Sequence, residues 1–214
     1  MPVIKISDAS FHSVPVFPLS GVSLFPQMSL PLHVFEPRYV ELLEFALAHE
    51  RLIAIADVIE GMELPPLPPI LGAGVIVGVQ KLPEGRFNVM LHGLTRLRLL
   101  EERPRARAFR QAQAEILLDD EEVERSLVAV DLEVRELVQA LSERHPKERE
   151  GLLALLDNAP TPQVLSEVVP ARLFQTREGR REAFSTLRAS GRLALCVEEL
   201  GRMLLEGGGL GEGH

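Results

Sequence analysis

The apolar positions of this chain change period once, near Asp119. Before it they recur about every second residue, as strands require; after it they recur every 3.5 or so, as helices require. Phe87, Val89 and Leu91 alternate with Arg86, Asn88, Met90 and His92. Leu97 and Leu99 alternate with Arg96 and Arg98, which puts both arginines on the solvated face of a strand. Ala108, Ala112, Ala114 and Ile116 share one face of a further strand, with Gln111, Gln113 and Glu115 on the other. Pro83-Glu84-Gly85 has the chemistry of a hairpin loop joining strands over 71–82 and 86–92, glycine supplying the positive φ. Gly72, Gly74 and Gly78 weaken a flat strand and predict a bent one, as a barrel corner needs.

One helix interrupts the strands. Pro37 suits its first turn, Tyr39, Leu42, Leu43, Ala46 and Leu47 form its apolar stripe, and Glu41, Glu44 and Glu50 lie outside. A strand over 52–58 follows, and then a proline-rich stretch, 61–69, that reads as an exposed extended loop. Such a loop can dock in aromatic grooves, but a stiff connector is the simpler reading. In the second half, Val123, Leu127, Val130, Val134, Leu137 and Leu141 make a narrow helical seam that reads as packing inside a bundle rather than a dimer zipper. Pro146 marks the next helix start, and Thr161-Pro162 is an N-cap followed by proline at the first helical position, leading into Val164, Leu165 and Val168. A last helix carries Leu193, Cys196, Val197, Leu200 and Leu204 and ends at Gly207-Gly208-Gly209. The expected fold class is α+β. It has a β domain over 1–118 with one inserted helix, a helical bundle over 119–207, and a disordered tail over 208–214.

Charge narrows the partners. The net charge is −8, with 11 basic against 12 acidic residues up to 115 and 12 against 19 beyond it. An acidic second half repels phosphate backbones, so nucleic acid is an unfavoured general partner. A single cysteine, Cys196, forms no internal disulfide and fits a reducing compartment. Ser7, Asp8, Ser10 and His12 interrupt any signal-like run, and no stretch is long enough to cross a membrane, so a cytoplasmic location is expected.

No motif carries catalysis. A phosphate-binding GxxxxGK[ST] loop and a GxSxG elbow are both missing. None of the three lysines, Lys5, Lys81 and Lys147, has the apolar surroundings that would activate it beside a serine. One cysteine cannot build a thiolate zinc site, and His33 with Glu36 reads as structural rather than as a metal pair. The expectation is a non-enzyme with no cofactor and no metal.

Residues 14–39 are the distinctive segment. Prolines 15, 18, 26, 31 and 37 block regular central pairing, while Phe17, Phe25, Met28, Leu32 and Phe35 supply bulk. Such a segment must wrap over a core, leaving apolar groups at the edge of a groove. The run Leu24-Phe25-Pro26-Gln27-Met28, followed by Pro31-Leu32-His33-Val34-Phe35-Glu36-Pro37-Arg38-Tyr39, resembles the opening signature of the substrate-binding domain of Lon proteases. Residues 72–100 are similar to that family's second half, with a glycine-led strand, a Pro-x-Gly hairpin and the Gly93-x-x-Arg96 turn. Thr161-Pro162 and the closing Arg192-Leu193 helix also sit where the family places similar residues. The resemblance spans roughly residues 12–205, with one departure: the glycine that commonly follows Phe-Pro in the family is Gln27 here.

The resemblance implies a PUA-like β pseudobarrel with an attached helical bundle. It also implies a non-catalytic role in recognising unfolded or flexible protein segments, with a Lon-type protease as a possible partner. The ATPase and Ser–Lys protease domains of full Lon lie outside this sequence, so a free-standing adaptor or competitor for substrates is expected. Phe25, Met28, Leu32, Phe35, Arg38 and Tyr39 are the candidate groove residues, although core packing is an alternative for the apolar ones. A polar rim at Glu36 and Arg38 competes with a simpler reading: an anion before a helix start and an arginine paired to a nearby carboxylate. Two other function classes stay open. A PUA-like RNA-binding module would rest on Arg103, Arg105, Arg107 and Arg110, against one Tyr and no Trp for base stacking. A hydrolase with a dispersed site would need Ser, His and acid groups converging in a cleft.

Overall fold

Six strands and one helix build the first part of the computed structural model, which describes residues 10–118 and 124–206. In chain order these are β1 (Ser10–Leu19), β2 (Ser29–Val34), α1 (Pro37–Ala48), β3 (Leu52–Asp57), β4 (Ile70–Lys81), β5 (Phe87–Glu102) and β6 (Arg110–Leu117). β1 pairs with β3 in parallel and with β6 antiparallel. β3 pairs with β4, β4 with β5, and the long β5 returns to β6, so five strands close a ring. β2 stands outside that ring against the first half of β5, from Ser29↔His92 to Val34↔Phe87. The result is a pseudobarrel with a flap.

β3 is buried at all six positions. Ile53 and Ile55 join a cluster with Phe17, Leu42, Leu43, Val89 and Leu91, which includes the apolar stripe of α1. Leu52, Ala54 and Ala56 join the other cluster, with Val14, Val16, Leu71 and Leu97. A strand buried on both faces reads as a continuous apolar run rather than as an alternation.

The glycines work as the sequence suggests. β4 changes register at Ala73/Gly74 and at Ile76/Gly78, the bend that a ring closure requires. At the hairpin, Glu84 and Gly85 both have positive φ and Arg86 N–H donates to the Pro83 carbonyl (3.4 Å), which is a tight type I′ turn. A Cβ on Gly93 would lie 2.1 Å from the Phe25 carbonyl oxygen, and one on Gly72 would lie 2.4 Å from that of Leu24. Glycine there lets the 24–28 segment rest directly on the strands as a strap. The strap is pinned by Gln27 N–H to the Gly93 carbonyl (2.9 Å) and by Gly93 N–H to the Met28 carbonyl (2.7 Å).

Three local expectations are corrected. Arg96 is only 1% exposed, its guanidinium 5.8 Å from the Phe25 ring centroid. The cause is a bulge: Ala73 faces Thr95 but Gly74 faces Gly93, so Leu94 is an extra residue in β5. One extra residue inverts the alternation. Arg96 then continues the face of Val89 and Leu91, while Leu97 turns to the other cluster. Arg98 stays solvated, 3.0 Å from Glu115. The proline-rich stretch is exposed only in part: Pro65 is buried, its carbonyl accepting from Arg110 (2.8 Å), and Leu67 packs on the second cluster. Ala108 is exposed ahead of β6, and Phe109 takes the buried place beside it.

Contacts divide the chain into two units, Met1–Leu118 and Asp119–His214. The second holds α2 (Glu124–Arg144), α3 (Arg149–Asp157), α4 (Pro162–Leu173), α5 (Arg177–Ser185) and α6 (Ala189–Glu206). α2 packs on α3 and α6 through Leu127, Val134, Val138 and Leu141. Val138 is fully buried where the seam predicted Leu137, because a straight helix at 3.6 residues per turn drifts off a 3.5 repeat; Val123 lies outside the described residues. Thr161 caps α4 as predicted, its Oγ1 accepting from Val164 N–H (3.3 Å) with Pro162 in the first turn. α6 buries Leu193, Cys196, Leu200 and Met203, and the glycine-rich end falls outside the described residues.

Candidate functional site

The corner from β2 into α1 is set by sequence. Pro37 opens the helix, and Glu36, in extended backbone, accepts from the N–H groups of Tyr39 and Val40 (both 2.9 Å) through its carbonyl. This geometry turns Tyr39 into the core and leaves Phe35 outside, 59% exposed. Between the corner and the end of β1 lies a half-open recess of about 310 Å³. Phe17, Leu19, Phe35 and Tyr39 supply its apolar lining; Ser20, His33, Glu36 and Arg38 supply its polar lining. Phe17 and Tyr39 stack with ring centroids 4.1 Å apart.

Electrostatics at the rim are self-contained. Arg38 donates to Glu36 through Nε (2.9 Å), with a second nitrogen 2.7 Å away, and its guanidinium lies 4.5 Å above the Tyr39 ring. Burial pushes the Tyr39 phenol above its usual range; Arg38 opposes that shift and Glu36 adds to it. His33 Nδ1 lies 2.9 Å from Asn88 Oδ1, and Asn88 Nδ2 donates to Gln80 Oε1 (3.2 Å). The His33 ring also packs against Phe35 at 5.7 Å.

Of the six candidate groove residues, Phe35, Arg38 and Tyr39 meet at this recess. Phe25 does not: it is 1% exposed, in the strap. Leu32 faces the core from β2, and Met28 packs on the same cluster. Phe17, Leu19 and His33 line the recess without having been singled out as groove residues. Phe17 and Leu19 come from the end of β1, which only the fold brings to this corner, whereas His33 stands two residues before Phe35 in the same segment, a spacing that could have found it.

The alternative chemistries find little geometry. Ser20, His33 and Glu36 all line the recess, but His33 Nδ1 is held by Asn88 and Glu36 by Arg38. Neither group orients the other as an acid–base relay would. Three of the four arginines of the cluster are knitted into the fold, and Arg105 is exposed. Arg103 donates to the His12 carbonyl (3.1 Å), Arg107 lies 4.6 Å over Phe45, and Arg110 makes a bidentate pair with Glu102. Among the described residues no group of three His, Cys, Asp or Glu could hold a metal ion, and no helix is long and apolar enough to cross a membrane.

Comparison with known proteins bears on the whole chain. The family model of the ATP-dependent protease La (LON) substrate-binding domain matches residues 13–202. This chain belongs to that family. Among curated relatives, Lon protease 2 of Sorangium cellulosum is 29% identical over 205 residues, and the Lon protease of Desulfosudis oleivorans is 26% identical over 206. Those alignments take in 90% and 92% of this chain but 25% of each relative, so the chain spans about a quarter of the length of the Lon proteases it matches. Two solved structures share the fold. The N-terminal domain of the Mycobacterium avium complex Lon protease superposes with a TM-score of 0.72 at 17% identity, covering 88% of this chain and 98% of that one. The Lon N-terminal domain protein from Xanthomonas campestris gives 0.65 at 18%, with the same coverage.

Proposed function

We propose that this chain is a non-catalytic protein-binding module that receives unfolded or flexible polypeptide segments, with the recess beside Phe35 as its contact point. The observation that carries the reading is an exposed phenylalanine beside a recess of mixed polar and aromatic lining, in a chain of the Lon substrate-binding family. A large apolar side chain held in water on a rigid corner gains by being covered. Burying one phenylalanine contributes about 1.5–3 kcal/mol, enough for roughly a tenfold to hundredfold change in affinity. Arg38 and Tyr39 frame the contact, and a Lon-type protease is the partner that would act on what is bound. The acidic balance and the engagement of Arg103, Arg107 and Arg110 within the fold favour this reading over RNA binding.

The test is a fluorescence anisotropy titration with a labelled, permanently unfolded polypeptide. Saturable binding is expected, weakened about tenfold or more by Phe35→Ser, a variant that keeps its fold because the side chain is already exposed. Equal binding by the parent and the variant would remove the recess from the mechanism.

A further inference from the structure

We infer that the loop from Ile59 to Leu64 is a second client contact, and that it selects flexible segments whose apolar residues are flanked by lysine or arginine. The inference rests on the chain being a receiver of such segments, as proposed above, and it adds which of them are preferred.

The loop springs from the wall of the recess and is fixed at both ends. Val58 N–H donates to the carbonyl of Leu19 (2.9 Å), a residue of the recess lining, and Asp57 Oδ1 accepts from Gly21 N–H (2.9 Å). At the far end Pro65 is buried, its carbonyl accepts from Arg110 (2.8 Å), and Leu67 packs on the second cluster. Between buried Val58 and buried Pro65 every residue is exposed, including Ile59 (55%), Met62 (54%) and Leu64 (50%). Large apolar side chains held in water on an anchored loop gain by being covered, and methionine adapts to varied shapes.

Charge says what covers them. No lysine, arginine or histidine occurs from residue 52 to residue 80. Glu60 and Glu63 lie among the three apolar residues, and among the described residues neither makes an ion pair or a hydrogen bond. At the recess, by contrast, Arg38 already neutralises Glu36. The uncompensated negative charge of this corner therefore sits on the apolar loop. A lysine or arginine beside an apolar residue matches both features, and its stem covers further apolar surface. An acidic segment meets like charge, as does a second copy of this chain at net −8.

The experiment titrates labelled, unstructured peptides by fluorescence anisotropy at low ionic strength. They share one apolar core and differ only in their flanks, two lysines or two glutamines. Lysine flanks are expected to tighten binding about threefold to tenfold, the worth of two exposed ion pairs, and added salt to shrink the difference. Glu60→Gln with Glu63→Gln should abolish that preference. Met62→Ser with Leu64→Ser should weaken both peptides alike, and all four positions are exposed, so the fold is kept. Equal affinity of the parent for the two peptides overturns the inference, as does a preference that survives Glu60→Gln with Glu63→Gln. If Phe35→Ser weakens binding and the loop variants do not, the recess stands and the loop falls. If the loop variants weaken binding and Phe35→Ser does not, the recess reading falls and the loop stands. A concentration-dependent dimer that Met62→Ser with Leu64→Ser dissociates would mean that a second copy covers the loop, and it too overturns the inference.

Discussion

Each unit fixes a connecting segment to its core, but the two use different forces. In the β unit the 24–28 strap lies on bare glycine backbone, with Phe25 pinned against buried Arg96. In the helical unit the connection after α5 is held by one charge. Arg192 of α6 is 0% exposed and donates to the carbonyls of Thr186 (2.9 Å) and Leu187 (2.8 Å), to Ser166 (3.1 Å), and pairs with Glu167 of α4 at 2.9 Å. One solution is steric fit, which is short-ranged and indifferent to pH and salt. The other is a buried ion pair, whose value depends on both partners being present. The two units are therefore expected to fail in different ways.

The largest effect is expected from Arg192→Met. Removing the guanidinium takes the Arg192 charge away from the buried Glu167 carboxylate, which costs about 3–5 kcal/mol. Glu167→Leu combined with Arg192→Met replaces both charges by apolar groups and is expected to recover most of that loss. The readout is local. Cys196, one turn along α6, is buried, and burial pushes its thiol well above the usual range, so it stays unreactive while the helix is packed. Its rate of labelling by a thiol reagent reports the helical unit alone. A double variant as labile as Arg192→Met would show that the packing, not the ion pair, was lost.

Alkaline pH separates the units next. The Cys196 thiol is raised in the fold above its ordinary 9.0, so above about pH 9 the unfolded chain loses a proton that the folded chain keeps. The unfolded state then binds fewer protons, and stability falls as pH rises, by up to about 1.4 kcal/mol per pH unit from this group. Tyr39 acts with the same sign in the β unit, but only from about pH 10, its ordinary value being 10.0. Urea midpoints between pH 8 and 11 are expected to drop for the helical unit first. Cys196→Ala should flatten the first phase, and Tyr39→Phe the second.

What the sequence made legible follows the same division. Period two, the strand bends at Gly74 and Gly78, the Pro37 start and the Thr161 cap are local features, and each appears in the fold where it was read. Gly93-x-x-Arg96, read as a turn, lies instead inside β5. Arg96 was misread because a bulge at Leu94 inverts the alternation, and nothing in the residues near it announces an extra position. Arg192 sits on a polar-looking step of α6, and its buried partner lies 25 residues earlier in the chain. The recess was half-visible for the same reason. His33, Phe35, Arg38 and Tyr39 are neighbours in the signature, whereas Phe17 and Leu19 join them only through strand pairing and helix packing. Short-range chemistry can be read from one segment; partners across the fold cannot.

The smallest effect tests the strap itself. Phe25-Pro26-Gln27-Met28 forms a tight turn in which Met28 N–H donates to the Phe25 carbonyl (3.2 Å), proline takes the second place, and Gln27 has φ +65°. That is a type II turn, whose third residue favours glycine. Gln27 is held there by its own N–H to the Gly93 carbonyl, so the fold overrides the preference. A left-handed conformation costs a side-chain-bearing residue about 1–2 kcal/mol, and glycine returns roughly 0.5–1 of that through the greater entropy of the unfolded chain. Gln27→Gly, the residue type that this turn position favours, is therefore expected to stabilise the β unit by about 0.5–1 kcal/mol and to leave labelling of Cys196 unchanged. A fall in the urea midpoint of the β unit would mean that the glutamine side chain, and not only its backbone, holds the strap.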